Sequence, residues 1–163
     1  MNNFIRIFGS GPIGLFISLA LLYLAFYLKD ILNTPSIFGD RKFIPLIIFI
    51  LLTAVSIVII IWSLISLSPK QRGRTLITTG ALKYFRHPLY AAFLSFFNFG
   101  LAFFLNNWIF IFWAIFLHPI WHLLVIGEEK LLKNIFPNDY EKYCENTGRF
   151  FPKLFKKNDS KMK

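Results

Sequence analysis

Arg86-His87-Pro88-Leu89-Tyr90 gathers a guanidinium, an imidazole and a phenol within five residues, and two adjacent carboxylates, Glu128-Glu129, follow further along the chain. Proline suits the first position of a helix because its missing N–H would be unpaired there anyway, so Pro88 marks that position and His87 the cap. The free N–H groups behind it and the positive end of the helix dipole then form an anion site, to which Arg86 adds charge. The glutamates are the complement. They follow an apolar run that ends at 126, so they fall at a helix C-terminus, where carboxylates oppose the dipole and attract a cation.

The elements that must position these groups are apolar. The chain has 163 residues, which sets one domain as the expectation. Its composition is 56% hydrophobic and 19% aromatic, more apolar surface than a soluble core of this size hides, and its charges come in blocks. The expected fold class is therefore all-α, an integral membrane protein. A formal charge of +10 on a soluble domain would suggest nucleic acid. In a membrane chain, basic residues instead mark the cytoplasmic side and anionic headgroups, so the bilayer is the expected partner and nucleic acid is not. The lone Cys144 excludes an intramolecular disulfide and a Cys-rich metal site.

Residues 7–28 carry no charge and are long enough to cross about 30 Å of hydrocarbon as a helix. The run exceeds a signal-peptide h-region, so a retained helix is expected. Within it Gly9-Ser10-Gly11-Pro12-Ile13-Gly14 matches a dinucleotide-binding spacing, but no strand precedes it and no acidic partner follows, so it reads as small residues at a helix start. Residues 43–69 form a second span. The charge-free run 88–127 exceeds one helix and is interrupted at Asn106-Asn107, which predicts a hairpin of spans at 88–105 and 108–126. Beyond Glu128, the spacing of Leu131, Leu132, Ile135 and Phe136 predicts an amphipathic segment along the membrane surface, and 156–163 reads as a basic tail.

Four spans put both termini and the 70–87 loop on one side, with 15 of the 18 lysines and arginines. By the positive-inside rule that side is cytoplasmic. The pentad and the glutamates then emerge together. A ligand that is carboxylate at one end and cationic at the other fits between them. An amino-acid headgroup has that shape, and S-adenosylmethionine adds a sulfonium to it. Interfacial anchoring alone is the plainer account of the same charges.

Thr75-Leu76-Ile77-Thr78-Thr79-Gly80, Tyr84 through Tyr90, Glu128-Glu129, and Phe136, Tyr140, Tyr143, Arg149 and Pro152, in that order, resemble the isoprenylcysteine carboxyl methyltransferase and phospholipid methyltransferase superfamily. The match covers about residues 74–155. The resemblance implies an S-adenosylmethionine-dependent methyltransferase of a lipophilic or lipid-linked acceptor, with the cofactor on the cytoplasmic face. Matching positions make Arg74, Thr75, Leu76, Ile77, His87, Pro88, Leu89, Tyr90 and Glu128 cofactor contacts, with Glu129 beside them. The chain departs from the pattern twice. Leu82 stands where an aromatic is usual, and Leu124 where the prenylcysteine enzymes carry an arginine that resembles a substrate-carboxylate clamp. Arg86 or Arg149 are the candidates to replace that clamp.

His118, His122 and Glu129 share a helix face by spacing, as do His87, Ala91, Leu94 and Asn98, and a pocket between the stripes would admit a lipophilic substrate. His122 or Glu129 becomes a candidate base if the acceptor is an amine. The paired histidines lack a third ligand, so no metal is expected. The alternatives are an NADPH-dependent reductase of the sterol reductase type, similar around Arg86–Tyr90, and a non-enzymatic membrane scaffold.

Overall fold

A computed structural model describes residues 9–67 and 75–153. The described chain is all-α: α1 (Gly11–Leu32), α2 (Phe43–Ser66), α3 (Pro88–Phe104), α4 (Trp108–Ile135) and α5 (Pro137–Asn146). Helices α1, α2 and α4 are long and apolar enough to cross a membrane, and α3 is a shorter apolar helix. Helix α2 has a mean hydropathy of 3.2, yet the residues it buries are Pro45, Ser56, Ile59 and Ser63, while Phe43 and Ile65 are exposed. Apolar side chains outside and small polar ones inside is the arrangement that a hydrocarbon solvent favours, because helices there associate by close packing and hydrogen bonds.

Helix α1 packs on α4. Trp121 Nε1 donates to Ser18 Oγ at 3.0 Å and Trp113 Nε1 to Ser18 O at 3.2 Å, while Phe26 meets Phe110 edge-on. Gly14 permits this approach, since a Cβ there would stand 2.5 Å from the Trp121 ring. Helix α2 packs on the other side of the hairpin, against α3, through Phe49 with Phe97 and Phe104 and through Ser56 Oγ, which donates to Ala92 O. That carbonyl opens a π-helical stretch, Ala92–Phe97, inside α3. Nothing in the local sequence predicted it. The buried Ala91, Leu94, Ala102, Ala114 and Leu117 fill the core of the α3–α4 hairpin.

Three boundaries differ from those read in the sequence. Helix α1 starts at Gly11 and runs past Lys29 and Asp30 to Leu32 instead of covering 7–28. Its start follows Gly9, in the left-handed region at φ 63°, with Ser10 at the N-cap position but its side chain making no cap hydrogen bond, while a basic residue in the last turn suits the dipole. Helix α2 stops at Ser66, and residues 68–69 lie outside the described chain, as does the basic tail. Helix α4 does not end at 126. After a single turn residue, Val125, it resumes over Ile126–Ile135, which puts Glu128 and Glu129 in the first turn of the resumed segment. The argument that these carboxylates oppose a C-terminal dipole therefore fails, because the resumed turn favours them. The amphipathic stretch begins as an extension of α4, and the chain turns only at Phe136-Pro137.

At the far end of the bundle, Asn106-Asn107 is more than a turn. Asn107 Oδ1 caps α4 through Ile109 N and accepts from Thr34 Oγ1 at 2.6 Å, while its Nδ2 donates to Thr34 O at 2.7 Å. Asn106 accepts from Phe38 N and donates to Gly39 O. The α1–α2 loop is thus stapled to the hairpin. Asn107→Ala removes a cap and two partly buried bonds to Thr34, and is expected to cost about 2 kcal/mol, read as a lowered thermal midpoint in detergent.

Candidate functional site

The start of α1, the start of α3, the resumed part of α4 and the segment after α5 meet at the opposite end. His87 stands at the N-cap position of α3, its side chain making no cap hydrogen bond, and Pro88 occupies the first turn. Arg86 N donates to Gly148 O at 2.7 Å and His87 N to Arg149 O at 3.2 Å, and Phe85 and Gly148 form a parallel bridge. Residues 147–150 are therefore a strap alongside the pentad. Tyr143 anchors α5 beneath it, its hydroxyl donating to Leu82 O at 2.6 Å. Burial pushes that phenol above its ordinary range, so it remains a donor. Leu82 thus contributes a backbone acceptor where the resemblance led one to expect a ring.

Glu129 is the charge centre. Its Oε1 accepts from Arg86 Nε at 3.0 Å, its Oε2 from Arg149 Nη2 at 2.6 Å and Nε at 2.9 Å, and His87 Nε2 stands 3.4 Å from Oε1. Both guanidiniums also hold backbone carbonyls, Arg86 that of Thr147 and Arg149 that of His122. The bonds to Glu129 raise the Arg149 pKa further, against the lowering effect of burial. The two arginines read as free clamps for a substrate carboxylate are therefore both engaged by one protein carboxylate.

Glu128 faces the other way. Its Oε1 accepts from Ser10 N, from Ser10 Oγ and from Tyr90 Oη at 3.0 Å, and its Oε2 lies 3.7 Å from His87 Nδ1. The anion at a helix N-terminus is Glu128 itself, and the helix is α1, whereas the sequence pointed to α3 and an external ligand. His87 stacks on Tyr90 at 5.6 Å, and Tyr90 meets the Trp121 ring at 4.8 Å. Glu128 Oε2 is turned toward His87, away from the three donors that hold Oε1. Aromatic faces next to a carboxylate attract a cation.

The remaining residues singled out in the sequence are distributed around this cluster. Pro88 is buried and Leu89 half-buried. Thr75 and Leu76 line a cleft of about 640 Å³ with Phe136, Asp139, Lys142 and Tyr143, and neither His87 nor Glu128 belongs to its lining. Ile77 is half-buried next to them in the chain, and Arg74 lies outside the described residues. A second cleft, about 240 Å³, is lined by Glu129, Arg149, Tyr140, Cys144, Lys130 and Lys133 and reaches the charge centre from the α5 side. His122 stacks on Phe150 at 4.8 Å and His118 on Phe151 at 5.2 Å. Both ring nitrogens of His118, His122 Nδ1 and both amide atoms of Asn98 are buried without a protein partner. Among the described residues no group of three His, Cys, Asp or Glu could hold a metal ion.

Ser10 and Thr147 were not among the residues picked from the sequence. Serine before Gly-Pro at the head of an apolar run is a capping signal. Nothing local ties it to a glutamate 118 residues away. No family model matches the chain, and neither does any curated protein or solved structure.

Proposed function

We propose that the protein is an S-adenosylmethionine-dependent methyltransferase, integral to a membrane, acting on a lipophilic or lipid-linked carboxylate, thiol or amine. One observation carries the reading. His87, Tyr90 and Glu128, which the resemblance marks as cofactor contacts, lie together: Tyr90 donates to Glu128 Oε1 and stacks on His87, whose Nδ1 is 3.7 Å from Glu128 Oε2. That donor set suits a ligand with an ammonium and a sulfonium.

In this reading α3 is the fourth span, at about 25 Å only slightly shorter than the hydrocarbon core, and the basic end of the bundle with both termini is cytoplasmic. When bound, the cofactor supplies an electrophilic methyl group. Glu128 would hold its ammonium, and the His87–Tyr90–Trp121 aromatic cluster behind that carboxylate would favour a cation beside it. The rate gain comes mainly from holding two reactants in line in a site that excludes water. A carboxylate or thiolate acceptor needs no base. For an amine, His122 is the better candidate, since Glu129 is committed to two guanidiniums.

The test is calorimetry of S-adenosylhomocysteine binding to the purified protein in detergent and after reconstitution, with NADPH in parallel. Micromolar binding that Glu128→Ala and His87→Ala each weaken at least about tenfold is the expected result, the loss of a charge-assisted contact being of that order. Binding of NADPH alone would replace this reading with the reductase, and binding of neither by folded protein would leave the scaffold.

A further inference from the structure

The resemblance begins at Arg74, yet a carboxylate it relies on is held from the other end of the chain. We infer that Ser10 is a positioning residue for Glu128, and that the Gly9-Ser10 start of α1 is a built-in part of the site. The inference rests on the methyltransferase reading for what Glu128 is aimed at, and on geometry alone for the aiming.

Ser10 is 7% exposed and places two donors, its main-chain N–H and its hydroxyl, on the same oxygen of Glu128, while Tyr90 supplies a third. A hydroxyl has a single proton, and the other contact of Ser10 Oγ, to Leu124 O, is long at 3.2 Å. The proton therefore goes to the carboxylate. The last torsion of a glutamate is broad and soft. Three donors on Oε1 fix it and turn Oε2 toward His87. The positive end of the α1 dipole adds to the hold.

The approach also needs an absent side chain. Gly9 is in the left-handed region at φ 63°, and a Cβ on it would stand 2.8 Å from Glu128 Oε1 and 2.9 Å from the Tyr90 hydroxyl. One indole ties the start of α1 to the rest. Trp121 covers Gly14, donates to Ser18 and packs on Tyr90, so the helix that presents Ser10 and the phenol that shares its acceptor are set by the same ring. The small-residue motif at the head of the first apolar run is thereby explained without a dinucleotide.

Carbodiimide-driven amine labelling of Glu128, followed by peptide mass spectrometry on the full chain in detergent, tests the aiming directly, with the exposed Asp139 as internal reference. Ser10→Ala is expected to raise Glu128 labelling at least about threefold, as loss of one hydrogen bond to a charged group frees the carboxylate. Ser10→Thr, which keeps the hydroxyl, is expected to restore it, and Gly9→Ala to raise it as Ser10→Ala does. In the same samples S-adenosylhomocysteine affinity should fall about tenfold in Ser10→Ala and recover in Ser10→Thr. Glu128 labelling that is equal in wild type and Ser10→Ala, or a gain that Ser10→Thr does not reverse, overturns the inference. Failure of the wild type to bind S-adenosylhomocysteine removes the methyltransferase reading, and the labelling comparison still decides the role of Ser10.

Discussion

Glu129→Gln is expected to destabilise the protein by about 3 kcal/mol, the largest effect of any single charge removal at this site. Glutamine keeps the shape of the side chain and removes its charge. Arg86, with a side chain 11% exposed, and Arg149, at 27%, would then face each other across a neutral amide. Breaking a buried pair by removing one partner costs about 3–5 kcal/mol because it leaves charge uncompensated, and the partial exposure of Arg149 puts this case at the lower end. For a chain of this length the thermal midpoint should fall by roughly 6–12 °C in detergent. Arg149→Met in the same background should recover part of the loss, since it removes one of the two stranded cations. A midpoint unchanged by Glu129→Gln would mean that the cluster contributes nothing net. Glu128→Gln should cost less, because the donors on its Oε1 are neutral groups that an amide oxygen also satisfies. The two adjacent glutamates are thus expected to separate in experiment, Glu129 in stability and Glu128, on the proposed reading, in ligand affinity.

The second large effect concerns the strap. A Cβ on Gly148 would overlap the Phe151 carbonyl oxygen and stand 3.0 Å from its carbon, so backbone has to move. The atoms that move are those that accept from Arg86 N and bridge to Phe85, and the next residue is Arg149. Gly148→Ala is therefore expected to cost about 3 kcal/mol, at the upper end for overpacking, and to release the strap before the helices melt. Limited proteolysis should show new cleavage within 147–153 at temperatures where the bundle remains folded. Gly127→Ala is the matched control, because a Cβ there meets nothing within 4 Å and a helical position gains about 0.5–1 kcal/mol from the exchange. Equal proteolysis of both variants would show that the close approach at Gly148 carries no weight.

Once bound by Glu129, Arg86 and Arg149 do not serve as an open clamp. The missing arginine at Leu124 is then not simply replaced by either of them. On the proposed methyltransferase reading, this favours an acceptor held through its apolar part over one held by its carboxylate.

What the sequence determined by itself was whatever depends on neighbours in the chain. Hydropathy and charge spacing fixed an all-α chain with long apolar helices, because in a hydrocarbon solvent the backbone must satisfy itself within each segment. Pro88 after His87 marked the start of α3, and Asn106-Asn107 the hairpin turn, since both are local conformational preferences. Using the first charge as a stop signal gave α1 and α4 the wrong ends. A charge at the membrane surface does not stop a helix, and α4 runs through Pro119 and the turn at Val125 to end only at Phe136-Pro137. Tertiary structure alone decided which carboxylate meets which cation. Glu128 and Glu129 are adjacent in sequence and one turn into the resumed helix, but the side chains of consecutive helical residues point about 100° apart. One therefore turns to Ser10 and the start of α1, the other to Arg86 and Arg149. Partners separated by 118, 43 and 20 residues leave no periodic mark on the chain, so only packing reveals them.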